Sequence, residues 1–162
     1  MLNIVLVEPE IPQNTGNIGR TCVALNATLH LVGPLGFSLA DRDLKRAGLD
    51  YWPQLKVVEY PDLETFLAVA PERMIYTTAF AEQSYTEIEY QKDDYILFGK
   101  ETKGLPDFLY RDHPERTVRI PNWGPVRSLN LAVAAGVVAY EAIRQLGARG
   151  ELPTPSPRLP DR

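Results

Sequence analysis

With 162 residues and a formal charge of −4, the chain has the composition of one soluble globular domain. Hydrophobic residues make up 44% and charged residues 23%, which is enough apolar material for a sizeable core. The acidic total argues against a surface that coats nucleic acid throughout, but it allows a local basic cleft. The single cysteine, Cys22, excludes an intramolecular disulfide and a cysteine zinc cluster, and His30 and His113 are too scattered to predict a metal site.

The ends of the chain carry no targeting signal that we recognise. The opening MLNIVLV has no basic stretch before its apolar run, so no secretory signal is predicted. The longest strongly apolar stretch, residues 129–140, is too short to span a bilayer and contains Asn130. We therefore expect a cytoplasmic protein without a membrane partner. One domain is predicted over residues 1–147, followed by a proline-rich, irregular tail at 148–162.

The predicted elements alternate between short apolar strands and helices. In chain order they are a strand at 2–7, a helix at 15–26, a strand at 28–32, a helix at 42–47, a strand at 57–60, a helix at 62–70 capped by Asp62, strands at 74–78 and 95–98, a short helix opening near residue 106, a strand at 117–120, and a helix from its cap Ser128 to about residue 146. Residues 84–90 connect two predicted strands and are not assigned to a helix or a strand. This alternation predicts an α/β fold, a mainly parallel sheet flanked by helices.

The last predicted helix is apolar around nearly its whole circumference. From residue 129 to residue 140 it carries no charge, and the first charged side chain is Glu141. A helix of this kind is normally covered on every side. In so small a domain we expect the second cover to come from another subunit, which predicts a homodimer. The alternative is a core helix buried within the monomer.

Three polar segments, at residues 14–21, 97–106 and 120–131, combine helix starts with glycine or backbone-binding side chains. Glycine permits close backbone approach to a ligand, and a helix N-terminus offers unpaired N–H donors. Each segment follows a predicted strand. Since ligands collect beyond the carboxyl ends of parallel strands, the three segments are expected to form one composite site.

Several common sites do not fit these segments. Gly16 and Gly19 lack the three-glycine spacing of a dinucleotide fingerprint, and the second strand ends in HLVG without an acidic residue, which disfavours a nicotinamide enzyme. No P-loop or GxSxG pattern is present. The available groups are amide side chains, the Ser128 hydroxyl and the charged Arg20. They suit an adenosine-like cofactor and a phosphate-bearing substrate, without a metal.

The segments NTGNIGRT at 14–21, FGKETKGLP at 98–106 and RSLNLAVAAGVVAYE at 127–141 resemble, in this order, the three motifs of the SPOUT class of RNA methyltransferases. The resemblance covers about residues 1–147. Within that class the chain is similar to the short tRNA 2′-O-methyltransferases that modify the wobble nucleotide. The resemblance implies a C-terminal trefoil knot, S-adenosylmethionine as cofactor, the tRNA anticodon region as partner, and an active site at a homodimer interface.

The resemblance also implies roles for individual residues. The cofactor-binding positions would be Tyr76, Thr77, Thr78, Gly99, Ile120, Ser128 and Leu129. The catalytic positions would be Arg20, Asn14, Ser128 and Asn130. A guanidinium stays protonated, so Arg20 is expected to bind the adjacent phosphate and stabilise the developing alkoxide. Its expected place near a helix start, where the dipole disfavours a cation, favours this functional reading.

Some of these residues have structural alternatives of equal weight. Asn14 could close an Asx turn, and Asn130 could bond backbone at the helix start. Glu101 is expected to be structural. The basic residues that could form a tRNA-backbone cluster are Lys100, Lys103 and Arg127, with Lys45 and Arg46 nearby.

The chain departs from the family pattern at two places, and other functions stay open. Ala132 and Ala134 stand where serine or asparagine is frequent, and the linker at 122–126 is unusual. Methylation at another tRNA or rRNA site is therefore an alternative. A second is an RNA-binding protein of this fold without turnover.

Overall fold

The computed structural model describes residues 1–38, 51–153 and 155. Within this part the strands are β1 (Asn3–Val7), β2 (Thr28–Val32), β3 (Lys56–Tyr60), β4 (Met74–Thr77), β5 (Tyr95–Phe98) and β6 (Thr117–Val118). The α-helices are α1 (Pro12–Leu25), α2 (Leu63–Leu67) and α3 (Leu131–Ala148). Single 3₁₀ turns occupy Trp52–Gln54, Asp107–Leu109 and Pro114–Arg116.

The six strands form one parallel sheet in the order β3-β2-β1-β5-β4-β6. β1 is central, and its Asn3 lies level with Thr28 of β2 and Tyr95 of β5. This confirms the predicted α/β class. Because all strands run the same way, their carboxyl ends meet at a single edge of the sheet.

Both faces of the sheet are covered, and alternate residues of β1 point into two separate cores. Ile4 packs with Cys22 of α1 and Val138 of α3, whereas Val5 packs on the other face with Phe66 of α2. A strand buried on both faces reads as a continuous apolar run, which is why β1 is recognisable in the sequence. Burial also raises the pKa of the Cys22 thiol to about 12.

The first two helices differ from their predicted bounds at one end each. α1 begins at Pro12, three residues before the predicted start, because proline at a first helical position needs no hydrogen-bond acceptor. Its C-cap is Asn26, whose left-handed conformation lets the N–H of Ala27 donate to the Cys22 carbonyl at 2.8 Å. α2 ends at Leu67, earlier than predicted. Its predicted cap, Asp62, is confirmed, since the carboxylate accepts a 2.7 Å bond from the Thr65 N–H.

The prediction that Ser128 caps the last helix is wrong. The N-cap of α3 is Asn130, whose Oδ1 accepts from the Ala132 N–H at 2.9 Å. Asparagine is at least as good an N-cap as serine, so the helix begins two residues further on. It runs to Ala148, one residue past the predicted domain boundary, and Leu152 packs against the first core.

The end of the sheet is also shorter than predicted. β6 stops at Val118, and Arg119 makes an isolated parallel bridge with Ser84 instead of extending the strand. The predicted helix at 42–47, with Lys45 and Arg46, lies outside the described residues, as do position 154 and positions 156–162 of the predicted tail.

α3 keeps one apolar side uncovered within the part of the chain that the structure describes. Its inner side packs on α1 and the sheet, but Val133 is 52% exposed and Tyr140 is 54% exposed. Burial on every side within the monomer is therefore wrong for this helix. By length and composition alone, its 18 residues are apolar enough to cross a membrane, which corrects the expectation of too short a stretch; core helices of soluble proteins meet the same criterion.

Stability is expected to fall at acid pH through His30, which is buried in β2 between Asn3 and Tyr60. Burial lowers its pKa from 6.5 to about 4, so the unfolded chain takes up a proton in this interval and the folded chain does not. The contribution of neutral His30 to the free energy of unfolding is therefore complete above pH 6.5 and is lost as the pH falls towards 4. We expect the melting temperature of His30→Gln to depend less on pH over this interval than that of the wild type. Identical pH profiles would contradict the assignment.

Candidate active site

A cavity of about 290 Å³ lies beyond the carboxyl ends of β4, β5 and β6. Thr77, Gly99 and Ile120 line it from the three strand ends, and Leu131 and Val138 line it from α3. Its size is at the lower end of the range of small-molecule sites, about 300 Å³. The cavity thus stands at the sheet edge where the sequence predicted a composite site.

The cavity brings together most of the predicted site residues. Those that line it are Asn14, Thr77, Thr78, Gly99, Ile120, Ser128, Leu129 and Asn130. Tyr76 and Arg20 do not line it. The Tyr76 side chain is buried in the core on the opposite face of the sheet, stacked on His113 with ring centroids 5.7 Å apart. Cofactor contact by the Tyr76 side chain therefore has no support in this geometry.

Arg20 lies in the second half of α1, and its guanidinium carbon is 5.4 Å from the centre of the Tyr51 ring. The expectation that Arg20 lies near a helix start is wrong, because α1 begins eight residues earlier at Pro12. Arg20 follows Asn14 by six residues, which places it about 240° further around the helix axis. The two predicted catalytic residues of this motif therefore occupy different faces of α1.

The glycines of the first motif serve packing, contrary to the prediction that they shape a ligand loop. Gly16 and Gly19 are buried within α1. The Gly16 carbonyl accepts a hydrogen bond from the Tyr51 hydroxyl. A Cβ on Gly19 would lie 2.9 Å from Cδ2 of Leu55, so the absence of a side chain lets the chain around Trp52 pack onto the helix.

Gly99 is required by the loop that follows β5. A Cβ at this position would lie 1.9 Å from the carbonyl carbon of Gly104, because the loop folds back on itself. The Gly104 N–H donates to the Lys100 carbonyl at 2.8 Å, and Gly104 has a φ of +73°. These contacts close the loop without a ligand. This loop gives Gly99 a local requirement, and the predicted reason, room for a cofactor, stays a prediction for a residue that lines the cavity.

Three side chains from the three motifs form a chain of hydrogen bonds that we call the amide relay: Glu101, Asn14 and Asn130. Nδ2 of Asn14 donates to Oε1 of Glu101 at 2.9 Å, and Nδ2 of Asn130 donates to Oδ1 of Asn14 at 2.9 Å. Oδ1 of Asn130 caps α3. The relay fixes both amides at the cavity wall. Asn130 thus has the structural role expected of it at the helix start, and its role in supporting the site stays a prediction.

Glu101 also fastens the loop before α1 to the loop after β5. Its carboxylate accepts from the backbone N–H groups of Glu10 at 2.8 Å and Ile11 at 3.2 Å. In return, the Glu10 carboxylate accepts 3.0 Å bonds from the N–H and the hydroxyl of Thr102. Glu101 thus has the structural role predicted for it. Its backbone partners, Glu10 and Ile11, lie directly before α1.

The predicted basic cluster is rearranged at the cavity opening. Lys100 pairs with Glu8, and this hydrogen bond raises the pKa of the Lys100 ammonium, so its charge is balanced locally. Lys103 and Arg127 are exposed and line the cavity. Arg119 lines it too, and sequence reasoning missed this residue although it directly precedes Ile120 at the strand end. Four cationic side chains of the described residues therefore line the cavity, and one of them, Lys100, is paired with Glu8.

Comparison with known proteins gives this arrangement a family. A family model described as the SpoU rRNA methylase family matches residues 1–140. The chain belongs to the SpoU methylase family. It is 46% identical over 152 residues to the tRNA (cytidine(34)-2′-O)-methyltransferase of Escherichia coli K12, covering 93% of this chain and 97% of that protein.

Solved structures of SpoU proteins agree with the fold. One described as "Structural insights into the 2-OH methylation of C/U34 on tRNA" has a TM-score of 0.87 and 50% identity, and covers 92% of this chain and 98% of the other. The methyltransferase AviRb of Streptomyces viridochromogenes, in complex with AdoMet, has a TM-score of 0.77 and 28% identity, and covers 90% of this chain and 57% of AviRb. SpoU methyltransferases thus bind AdoMet, and the six-stranded parallel sheet described above is consistent with an α/β knot.

The two capping candidates can be separated by stability. Asn130→Ala removes the cap of α3 and the bond to Asn14, so we expect it to lower the unfolding free energy by about 1 kcal/mol relative to Asn130→Ser, which keeps a capping oxygen. Ser128→Ala is the matched control and should change this energy by less than about 0.5 kcal/mol, because Ser128 is exposed and caps nothing. Urea unfolding measures all three. Equal losses for Ser128→Ala and Asn130→Ala would contradict the assignment.

Proposed function

We propose that this chain transfers the methyl group of S-adenosylmethionine to the 2′-hydroxyl of the wobble nucleotide, position 34, of tRNA. The observation that carries the proposal is the cavity at the strand ends, lined by residues of all three motifs and braced by the amide relay. Near-full-length similarity to a tRNA (cytidine(34)-2′-O)-methyltransferase supports the choice of nucleotide.

The cavity suits the cofactor in the chemistry of its walls. Ile120, Leu129 and Val138 provide apolar surface for a flat purine ring. The Glu101 carboxylate already accepts hydrogen bonds from Asn14 and from the backbone N–H groups of Glu10 and Ile11. It is therefore not available to bind a ligand in the cavity. We infer that Thr78, Gly99, Ile120 and Leu129 hold S-adenosylmethionine. When bound, this cofactor supplies an electrophilic methyl group on a sulfonium.

The protein's own side chains then bind and orient the RNA. Lys103, Arg119 and Arg127 at the opening attract phosphate groups by charge. Asn14 is held by the relay and presents its amide to the cavity. Arg20 binds the phosphate beside the reacting ribose and stabilises the alkoxide that develops on its oxygen, a role for a permanently protonated group.

Arg20 reaches the reacting ribose in a homodimer, from the partner subunit. It does not line the cavity of its own chain, whereas α3 presents an uncovered apolar side with Val133 and Tyr140. We infer that a second copy covers this side and that Arg20 of the partner subunit completes the site. Association through a symmetric interface would complete both sites at once. A cytoplasmic location, and a catalytic domain at 1–147 with a non-catalytic tail, stay predictions.

The reaction is tested with purified protein, S-adenosylmethionine and tRNA from a strain that lacks the enzyme. Nucleoside mass spectrometry of the anticodon fragment is expected to give a 2′-O-methylated nucleoside at position 34. A methyl group at another nucleotide would favour the alternative substrate. Binding of tRNA without any methyl transfer would favour the RNA-binding protein without turnover.

The position of Arg20 is tested by mixing two inactive variants. Arg20→Ala removes the cation, and Ile120→Trp fills the cavity while leaving Arg20 in place. If Arg20 acts on the partner's cavity, mixed dimers hold one complete site, and a one-to-one mixture should recover about a quarter of wild-type activity. Recovery of no activity, with mixed dimers confirmed by mass, would contradict action across the interface. Arg20→Ala alone should bind the cofactor normally.

A further inference from the structure

Trp123 is 93% exposed and directly follows Asn122, which lines the cavity. It lies in the segment between β6 and α3, from which Arg119 and Arg127 also line the cavity. Tryptophan is on average a highly buried residue, so nearly complete exposure of its indole is unfavourable unless a ligand covers it. This segment is also the linker in which the chain departs from the family pattern. The proposed chemistry gives Trp123 no role.

The surroundings of Trp123 favour an anionic ligand. Arg127 and Arg119 come from the same segment, and Lys103 lines the opening from the loop after β5. A second exposed aromatic ring, Phe80, which is 77% exposed, also lines the cavity. Cations that track a backbone, together with aromatic rings that accept bases, are the combination by which proteins hold single-stranded nucleic acid.

We propose that Trp123 stacks on a base of the RNA substrate next to the nucleotide whose ribose enters the cavity. The proposal rests on the proposed function and adds a residue that sets how the RNA is seated. A flat base covers the exposed indole, and Arg119 and Arg127 hold the adjoining phosphates. Stacking accepts any base, so Trp123 fixes the register of the single strand over the cavity and does not read its sequence.

A second copy of this chain is the competing occupant, and the charges disfavour it. An interface with Trp123 on its two-fold axis would bring Arg119 and Arg127 of both copies together and place like charges face to face. Contact of Trp123 with a different surface of the partner is distinguished by the fluorescence and mass measurements below. The uncovered side of α3, with Val133 and Tyr140, offers apolar area without that repulsion.

The kinetic test uses an RNA anticodon stem–loop as substrate. Trp123→Ala should raise KM about tenfold while kcat changes little, because the lost contact binds the RNA and does not act on the reacting atoms. Trp123→Phe keeps a stacking ring and should recover most of the affinity. Phe108→Ala is the matched control, since Phe108 is 61% exposed but the residues directly before and after it do not line the cavity, whereas Asn122, directly before Trp123, does.

A second arm identifies the base. Two stem–loops are compared with the intact RNA, each with an abasic nucleotide on one side of nucleotide 34. The wild type should bind one of the two about tenfold more weakly than it binds the intact RNA. Trp123→Ala should bind that stem–loop and the intact RNA equally well, because the stacking contact is already lost. In a Trp52→Phe background, Trp123 is the single tryptophan, and its fluorescence should be quenched by the RNA.

The outcomes separate this proposal from the proposed function. Unchanged KM in Trp123→Ala, with normal methylation by the wild type, overturns the stacking role alone. Trp123 fluorescence that changes with protein concentration in the absence of RNA, together with a lower molecular mass of Trp123→Ala, assigns the residue to a second copy and also overturns it. Absence of methylation by the wild type on any tRNA would instead overturn the proposed function.

Discussion

The site depends on the hydrogen-bonded chain from Glu101 through Asn14 to Asn130. These residues come from the loop after β5, the start of α1 and the cap of α3. The three segments are far apart in sequence, so contacts between neighbouring residues cannot hold them together. Asn14 is buried, and its amide is satisfied on both sides, since its Nδ2 donates to Glu101 and its Oδ1 accepts from the exposed Asn130. Loss of any one member leaves an unpaired polar group, so the three motifs are constrained to occur together.

The relay is effective because the surrounding elements are already rigid. β1 and β5 are adjacent and buried on both faces, so the loops that follow them begin from fixed points. The exchange of bonds between Glu10 and Thr102 holds the same two loops a second time. The absence of a side chain at Gly19 allows Leu55 to pack tightly on the other side of α1. Precision at the cavity wall therefore comes from packing that lies outside the cavity.

The sequence was sufficient for the sheet and for the place of the site, because both depend on short-range patterns. Runs of apolar, β-branched residues predicted the strands, and their parallel order placed the three motifs at one edge. The cap of α3 was beyond this reasoning. Ser128 and Asn130 are both good N-caps, and the choice is made by a bond to Asn14, 116 residues away in sequence.

The positions of Arg20 and of the glycines in α1 could not be predicted from the sequence for a related reason. The start at Pro12, three residues before the predicted one, puts Asn14 inside the same helix as Arg20, and the spacing of six residues then places the two on different faces. The glycine pattern resembled a ligand loop, yet its partners are Tyr51 and Leu55, which no spacing rule connects to it. Tertiary contacts decided these positions.

The buried thiol of Cys22 has a practical consequence. It is the only cysteine in the chain, it is fully enclosed between α1 and the sheet, and its raised pKa keeps it in the unreactive protonated form. The native fold therefore needs no reducing agent to remain chemically homogeneous. A cysteine introduced on the surface would be the single reactive handle, so a fluorophore or spin label could be attached at one chosen position without removing a native residue.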